Sequence, residues 1–189
     1  RLFETTGGGV AVLDIDHDTW PDLYFTQGAE WPHGQDHPDL TDRLTDRLFR
    51  NRNGRFLNVS ALSNTNGRDY GQGGTAGDFD NDGFVDLYVA NIGLNRLYRN
   101  QGDGTFLEIT NSAGLSVADW TASVVVVDLN ADGHPDLFDV NYVTADDVYT
   151  RLCEGGSCGP HAYTGVPDCL HVSNGDGTFA CVPNATPQQ

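Results

Sequence analysis

The sequence predicts an all-β fold made of about three repeated four-stranded antiparallel units. Short stretches rich in Val, Leu, Tyr and Phe lie before and after three aspartate-rich runs, at residues 14–22, 78–86 and 128–136. Further along each unit, a glycine-bearing turn such as Gly102-Asp103-Gly104 separates two more such stretches. Asn-Gly and Asp-Gly turns between apolar runs are strong signals of a β-hairpin. Each unit is therefore predicted to contain two hairpins.

The strands follow from this pattern. The first hairpins are predicted from residues 9–13, 73–77 and 123–127, paired with 22–25, 86–89 and 136–139. The second hairpins begin at residues 48–51, 97–100 and 170–173 and end in strands led by Phe56, Phe106 and Phe179. A polar insertion at 27–47 and a cysteine-bearing one at about 144–167 lengthen the first and third units.

The spacing of the units suggests a propeller. The runs begin at residues 14, 78 and 128, which is 64 and 50 residues apart, close to the period of four-stranded propeller blades. We expect one domain over residues 1–189, with repeats at about 7–60, 71–110 and 121–183. Residues 1–6 contain Phe3-Glu4-Thr5-Thr6, which is similar to the strand at 106–110 and is predicted to be the last strand of a preceding unit.

Each aspartate-rich run predicts a calcium-binding loop at a hairpin end. Side-chain oxygens at positions 1, 3, 5 and 9, with a backbone carbonyl at position 7, give the all-oxygen shell that Ca²⁺ favours. The predicted ligands are Asp14, Asp16, Asp18, Trp20 (backbone O) and Asp22; Asp78, Asp80, Asp82, Phe84 (backbone O) and Asp86; and Asp128, Asn130, Asp132, His134 (backbone O) and Asp136. A single acidic run is usually a solvated turn, but three in one register predict about three Ca²⁺ ions.

Two features separate these loops from an EF-hand and from one another. An EF-hand has a Glu at position 12 and helices on both sides, whereas position 12 here is Phe25, Val89 or Asp139 and the flanks are β-prone. Thr19 stands at position 6, where the other loops have Gly, and a β-branched residue resists a positive φ. We therefore expect the first site to be weaker or bent differently.

Several motifs resemble a known family. They are Gly77-Asp78-Phe79-Asp80-Asn81-Asp82-Gly83, then Leu97-Tyr98-Arg99-Asn100-Gln101-Gly102-Asp103-Gly104-Thr105-Phe106, and Cys158-Gly159-Pro160 with Asn174-Gly175-Asp176-Gly177-Thr178-Phe179. The sequence resembles the FG-GAP and VCBS-type calcium-binding repeats of integrin-like β-propellers, most closely their bacterial branch associated with ASPIC/UnbV domains. The resemblance implies a calcium-binding propeller, but such propellers serve adhesion, ligand binding or accessory roles beside enzymes.

Charge and composition exclude several function classes. The formal net charge of −17 argues against nucleic acid and against anionic membrane surfaces. No apolar run approaches the roughly 20 residues of a membrane span, so no membrane insertion is expected. The chain has no Lys, which excludes Schiff-base chemistry, and residues 155–159 match the G-x-S-x-G pattern without the helix that a hydrolase nucleophile requires. We expect no enzymatic activity.

The four cysteines predict two disulfides and an extracellular location. Cys169 and Cys181 each lie six residues from Gly175, at the turn of one hairpin, so they can face each other, and Cys153 and Cys158 would close a small loop. Zinc binding is disfavoured because paired C-x-x-C spacing is absent. Asn58-Val59-Ser60 and Asn184-Ala185-Thr186 are acceptor sequons for glycosylation.

The expected function is an extracellular, non-enzymatic structural or adhesive role. Closed propellers use about 4 to 8 blades, so three would form an open arc. Copies of the chain are expected to complete one another head to tail as a ring or filament, with residues 1–6 lending a strand to a neighbour. The alternative is a carbohydrate-binding or accessory propeller module cut from a larger secreted protein or enzyme, with a carbohydrate or protein ligand. An exposed aromatic cluster would favour carbohydrate, and self-association would favour assembly.

Overall fold

The structure is a computed structural model that describes residues 1–40, 44–153 and 158–183. It has fourteen strands, which are β1 Val10–Leu13, β2 Asp22–Phe25, β3 Arg47–Arg52, β4 Arg55–Asn58, β5 Tyr70–Gly77, β6 Asp86–Leu94, β7 Arg96–Asn100, β8 Phe106–Glu108, β9 Ala118–Val127, β10 Asp136–Asn141, β11 Val143–Thr144, β12 Thr164–Gly165, β13 Cys169–Ser173 and β14 Phe179–Pro183. The helical elements of the described ranges are two short 3₁₀ turns, Phe3–Thr5 and Pro160–Ala162. The predicted all-β class is confirmed.

The strands pair as three antiparallel units of four. The first unit is the sheet β1-β2-β3-β4, the second is β5-β6-β7-β8, and the third is β9-β10-β13-β14. β6 also pairs with β9, from Ile92 opposite Trp120 to Leu94 opposite Ala118, so the second and third units share one sheet. The units occupy residues 10–58, 70–108 and 118–183, beside the predicted ranges 7–60, 71–110 and 121–183.

The core lies between the units because side chains alternate across each strand. Leu87 and Val89 of β6 pack toward the first unit, against residues such as Tyr24. Their neighbours Tyr88 and Ala90 point the other way, into a cluster with the third unit. The second unit is thus buried on both faces. Accordingly, the first seven residues of β6 are all buried.

The antiparallel order gives the molecule two different ends. The turns β1–β2 and β3–β4, and their equivalents in the other units, lie at what we call the loop end, which carries residues 14–22, 78–86 and 128–136. The connections from β2 to β3, β6 to β7 and β10 to β13 lie at the opposite end, which we call the cap end. An aromatic cluster lies at the cap end, in which Phe3, Trp31 and Trp120 are buried and the partly buried Tyr70 and Tyr149 pack against them.

The predicted N-terminal strand at residues 1–6 is wrong, because Phe3–Thr5 forms a 3₁₀ turn. Phe3 is 1% exposed and its ring lies 4.4 Å from that of Trp31 and 5.6 Å from that of Tyr70. The Nη2 of Arg1 donates to the Trp31 carbonyl at 2.8 Å. Aromatic burial within the same chain therefore outweighs the strand propensity of this short segment.

Both predicted disulfides are present. Cys153 pairs with Cys158 and Cys169 pairs with Cys181, with Cα–Cα distances of 5.3 and 6.5 Å. Cys169 and Cys181 lie on the two strands of the last hairpin, but they are diagonal neighbours and do not face each other directly, because the register places Cys169 opposite Pro183 and Cys181 opposite His171. The first predicted sequon places Asn58 in an exposed strand. Asn184, and residues 155–157 of the G-x-S-x-G pattern, lie outside the described residues.

Candidate functional site

The three aspartate-rich loops share one backbone conformation. Positions 4 and 6 take positive φ in every loop, with values of 56° and 70° at His17 and Thr19, 58° and 92° at Asn81 and Gly83, and 61° and 91° at Ala131 and Gly133. The first loop therefore does not bend differently from the others, whereas the expected weaker affinity of the first site stays a prediction. Thr19 takes the left-handed conformation despite its branched Cβ, at a cost of about 1–2 kcal/mol relative to the right-handed region.

The carboxylate at position 1 holds each loop in this shape. It accepts two backbone N–H groups, from positions 5 and 6. The distances are 3.2 and 2.9 Å for Asp14, 3.1 and 2.9 Å for Asp78, and 3.2 and 2.9 Å for Asp128. The position 5 carboxylate in turn accepts the N–H of position 7, at 2.9 Å from Trp20 and 2.8 Å from both Phe84 and His134. The loops are thus folded by their own acidic side chains.

The aspartate at position 9 joins the loop to the third strand of its unit. One oxygen accepts the N–H of position 2 and the other accepts an N–H from the third strand. The pairs of distances are 2.9 Å from Ile15 and 2.6 Å from Asn51 to Asp22, 3.0 Å from Phe79 and 2.8 Å from Asn100 to Asp86, and 3.0 Å from Leu129 and 2.9 Å from Ser173 to Asp136. All three aspartates are at most 1% exposed. The sequence predicts these aspartates as metal ligands. It did not reveal that they also join the loop to the third strand.

Burial affects the acidity of these carboxyl groups. Desolvation raises the pKa of Asp86 to about 7, against the opposing effect of the two backbone N–H donors. Desolvation also raises the pKa of Asp22 and, together with the nearby Asp82 charge, the pKa of Asp80. These shifts mean that the carboxylates repel one another and lack solvent, which is the electrostatic setting that a bound cation would relieve.

Two loops bring three carboxylates close enough to share one ion. Oxygen atoms of Asp14, Asp16 and Asp18 lie within 4.8 Å of one another, and so do those of Asp78, Asp80 and Asp86. In the third loop, position 3 is an amide, and the Nδ2 of Asn130 donates to Asp132 Oδ2 at 2.9 Å. The predicted ligands are therefore gathered most closely in the first and second loops.

The first loop also has a cation of its own. The guanidinium of Arg50, on β3, contacts Oδ2 of Asp16, and its Nη2 lies 3.9 Å from Oδ2 of Asp18. Both oxygens of Asp16 are buried, and apart from this contact with Arg50 they have no hydrogen-bond partner among the described residues. Arg50 thus supplies positive charge at the place where the sequence predicts a metal.

A further repeated position was missed by sequence reasoning. In each unit, the side chain of the residue directly before the third strand accepts a backbone N–H. The donor lies thirteen positions after the first aspartate of that unit's aspartate-rich loop. These contacts are Gln27 to Asp46 at 2.7 Å, Asn91 to Asn95 at 2.9 Å and Asn141 to Asp168 at 2.9 Å. The available signal was a polar residue two positions before Leu48, Leu97 and Leu170. This hydrogen bond joins the second and third strands at the cap end, as the hydrogen bonds of position 9 join the loop to the third strand at the loop end.

Asp46 differs from its equivalents in its acidity. It is 2% exposed and accepts the Tyr24 hydroxyl at 2.7 Å. Desolvation raises the pKa of Asp46 to about 7, with a smaller contribution from the Asp69 charge. Asn95 holds the same place in the second unit without carrying a charge.

The comparisons with known proteins agree with this repeat pattern. Residues 78–138 match the family model of an FG-GAP-like repeat, from the first aspartate of the second loop into β10. The match supports an FG-GAP-type repeat in this third of the chain. A search of curated proteins found no match. Among the described residues, no helix has the length and apolar character that a membrane crossing needs.

Proposed function

We propose that this chain is a non-enzymatic, calcium-binding module of the propeller type, with VCBS-like loops that hold about three Ca²⁺ ions and a structural or adhesive role outside the cell. The observation that best supports this proposal is that three loops share one hydrogen-bonded conformation. Two of these loops each bring oxygens of three carboxylates within 4.8 Å of one another. Carboxylate and carbonyl oxygens are the ligands that Ca²⁺ prefers.

The residues fit the ion in charge and type. Asp14, Asp16 and Asp18 would hold it in the first loop, and Asp78, Asp80 and Asp86 in the second. In the third loop the candidates are Asp128, Asp132 and Asp136 with the amide oxygen of Asn130. Bound Ca²⁺ supplies positive charge that offsets repulsion among acids, of which eleven of the chain's 27 lie in the three loops. The proposed chemistry is therefore structural rather than catalytic.

Calcium binding is tested by following unfolding with and without the ion. A ligand that binds only the native state stabilises it by about 2.7 kcal/mol per site at a hundredfold excess over Kd. We expect excess EGTA to lower the Tm and added Ca²⁺ to restore it, with calorimetry giving the number of sites. An unchanged Tm in EGTA, with no calorimetric binding, would refute the proposal. Magnesium at the same concentration is the control for ionic strength.

Self-association is supported by two apolar faces at opposite ends of the arc. On the outer face of the first unit, Val10 is 49% exposed and Val12 is 59% exposed. On the outer face of the third unit, Val125 and Val182 are 41% and 42% exposed. They lie on the face of the sheet that Phe138 of β10 also occupies. A blade of a propeller buries such faces against its neighbours. We propose that copies of the chain join these unlike faces head to tail, as a ring or a filament.

The head-to-tail contact does not require a strand donated by residues 1–6. Residues 1–6 pack within their own chain, with Leu2 5% exposed and Phe3 1% exposed, so the contact is assigned to the two faces instead. Sedimentation of the full chain in Ca²⁺ tests it. We expect Val12→Asp to abolish the assembly, whereas the control Leu62→Asp, at a side chain that is 78% exposed and lies off the outer face, should not. A parent chain that stays monomeric at high concentration favours instead a module whose missing blades lie in a longer protein.

The extracellular assignment is supported by the two disulfides, which persist in oxidising compartments. Within the described residues, Trp31 and Trp120 of the cap end are buried, at 8% and 1% exposed. They therefore do not form the exposed aromatic platform that a carbohydrate ligand would need. At the cap end the structural role is therefore favoured over the carbohydrate-binding one, while Trp20 of the first loop is 43% exposed.

A further inference from the structure

The last hairpin places three metal-binding side chains on one face. Cys169 and His171 are two residues apart on β13, so their side chains project from the same side of the strand. Cys181 lies directly opposite His171 in the register of β13 and β14. One ligand atom from each of the three residues lies within 4.8 Å of the others, and Nδ1 of His171 is 3.9 Å from Sγ of Cys169.

A buried carboxylate fixes the orientation of the imidazole. Nε2 of His171 lies 3.0 Å from Oδ2 of Asp139, and His171 and Asp139 are 3% and 6% exposed. We assign the proton of the imidazole to Nε2, because a carboxylate oxygen accepts, and this assignment leaves Nδ1 as the ring nitrogen that faces Sγ of Cys169. Asp139 is itself held by the Tyr88 hydroxyl at 2.8 Å and by Asn95 at 3.0 Å. A carboxylate behind a histidine is the usual support of a metal-ligating imidazole.

We propose that Cys169, His171 and Cys181 bind a divalent metal of the zinc class when their disulfide is reduced. Two thiolates and one neutral imidazole are ligands that Zn²⁺ prefers, with a water as the fourth. A surface cavity of about 190 Å³ borders Cys169 and Cys181 and provides room for that water and a route of entry. The sequence argued against zinc because C-x-x-C pairs are absent, but strand pairing creates a Cys-x-His and an opposing Cys that linear spacing does not reveal.

The oxidised, metal-free form is converted to the metal-bound form by reduction of the Cys169–Cys181 disulfide followed by metal binding. A dithiol reductant gives two electrons and two protons to the Cys169–Cys181 disulfide and itself becomes a disulfide, so one S–S bond breaks and another forms. The two thiols then lose their protons to solvent as the metal binds their thiolates. Asp139 acts as a positioning residue, because its contact with the three proposed ligands is the one to the His171 imidazole, and Tyr88 and Asn95 hold it in place. The other disulfide, Cys153–Cys158, is not part of a ligand group of this kind among the described residues, and it serves as the matched control.

Cobalt substitution of the full chain tests the site. The protein is reduced anaerobically in excess Ca²⁺, which fills the oxygen-rich loops, and is then titrated with Co²⁺. We expect a thiolate-to-cobalt charge-transfer band that saturates at one equivalent and is absent from the oxidised protein. Cys153→Ser/Cys158→Ser should keep the band, and Cys169→Ser/Cys181→Ser should lose it. A band that requires Cys153 or Cys158, or no band after reduction, would overturn the proposal.

Two further measurements separate a metal site from a loss of folding. In the reduced parent chain, Zn²⁺ should slow alkylation of Cys169 and Cys181 but not of Cys153 and Cys158, as read by mass spectrometry. Asp139→Asn should weaken Co²⁺ binding by roughly 10–100-fold and change the pH dependence of binding, with unchanged circular dichroism. Equal alkylation rates with and without Zn²⁺ would contradict the assignment independently of any variant.

Discussion

The first and second loops have nearly the same hydrogen bonds and different surroundings. Asp14 and Asp78 accept the same two backbone N–H groups, with distances that agree within 0.1 Å. The residue at position 6 is Thr in one loop and Gly in the other, and both take a positive φ. The comparison teaches that the aspartates at positions 1 and 9 set the loop shape, while the residues between them adjust to it.

The two loops differ in how their charge is balanced. Arg50 contacts Asp16 and lies near Asp18 in the first loop. Its equivalent Arg99 lowers the pKa of Asp80 in the second loop, but burial and the neighbouring Asp82 charge outweigh it and the pKa of that carboxyl is raised. The first loop thus carries an internal counter-ion and the second depends more on an external one. Five sets of variants test this difference between the units.

The largest expected effect is at position 9, where the two loops should behave alike. Asp86→Ala leaves the buried N–H groups of Phe79 and Asn100 without acceptors, and Asp22→Ala does the same to Ile15 and Asn51. Each variant should lose about 3 kcal/mol of unfolding free energy. Denaturant unfolding in excess EGTA measures this contribution without metal. A loss that appears only in Ca²⁺ would show that position 9 acts through the ion alone.

The metal ligands should distinguish the loops. Asp80→Ala should abolish most of the stabilisation that Ca²⁺ gives through the second site, about 2.7 kcal/mol at a hundredfold excess over Kd. Asp18→Ala should weaken the first site less, because Arg50 already offsets part of its charge. Calorimetric titration of both variants measures the difference. Equal losses would mean that Arg50 does not influence calcium affinity.

The cap ends of the two units provide the next contrast. Asp46→Asn gives the first unit the residue that the second unit has at Asn95. The native pKa of Asp46 is raised to about 7, above its usual value near 4, so its contribution is present below about pH 4 and is lost as pH rises through 7. At pH 8 the variant should therefore be more stable than the parent by about 2 kcal/mol. Thermal unfolding from pH 4 to 8 measures it, and parallel curves for the two proteins would contradict the assignment.

Arg50 can be removed to make the first loop resemble the second. Arg50→Met keeps the aliphatic stem but removes the charge beside Asp16, so the calcium affinity of the first loop should rise about tenfold. Arg99→Met is the matched control and should change the second site much less. A fall in affinity for Arg50→Met would show that Arg50 organises the ligands rather than competing with the ion.

The smallest effect concerns backbone strain at position 6. Thr19→Gly should stabilise the protein by about 1 kcal/mol, because Gly adopts a positive φ without the Cβ penalty. Gly83→Thr should destabilise it by a similar amount, since no neighbouring atom lies within 4 Å of the added Cβ and only the conformation is strained. Unfolding in EGTA measures both changes. Effects of the same sign would reject strain as the cause.

Local patterns allowed the sequence to predict much of this molecule. Alternating side chains and glycine turns predicted the four-stranded units, and the symmetric spacing about Gly175 predicted the Cys169–Cys181 bridge. Asp14, Asp16 and Asp18, and Asp78 and Asp80, are gathered as expected because their spacing within a tight loop is local. Asp82 and the third loop are not part of such a three-carboxylate group among the described residues.

The features that the sequence missed depend on distant contacts. Phe3 packs against Trp31 and Tyr70, so its 3₁₀ turn reflects packing that strand propensity does not include. The contact of Arg50 with Asp16 joins β3 to the loop between β1 and β2, across the insertion at residues 27–47. The positive φ at Thr19 is imposed by the two N–H groups that Asp14 accepts nearby, a constraint that residue preference alone does not reveal.

The two ends of the units have different freedom to change over evolutionary time. At the cap end, the single residue Asn95 joins β6 to β7, whereas much longer segments join β2 to β3 and β10 to β13 in the same topology. Lengthening a loop costs little, about 0.6 kcal/mol for each doubling. New binding segments can therefore be inserted at the cap end without altering the loop end. There the spacing is fixed by the hydrogen bonds of positions 1 and 9.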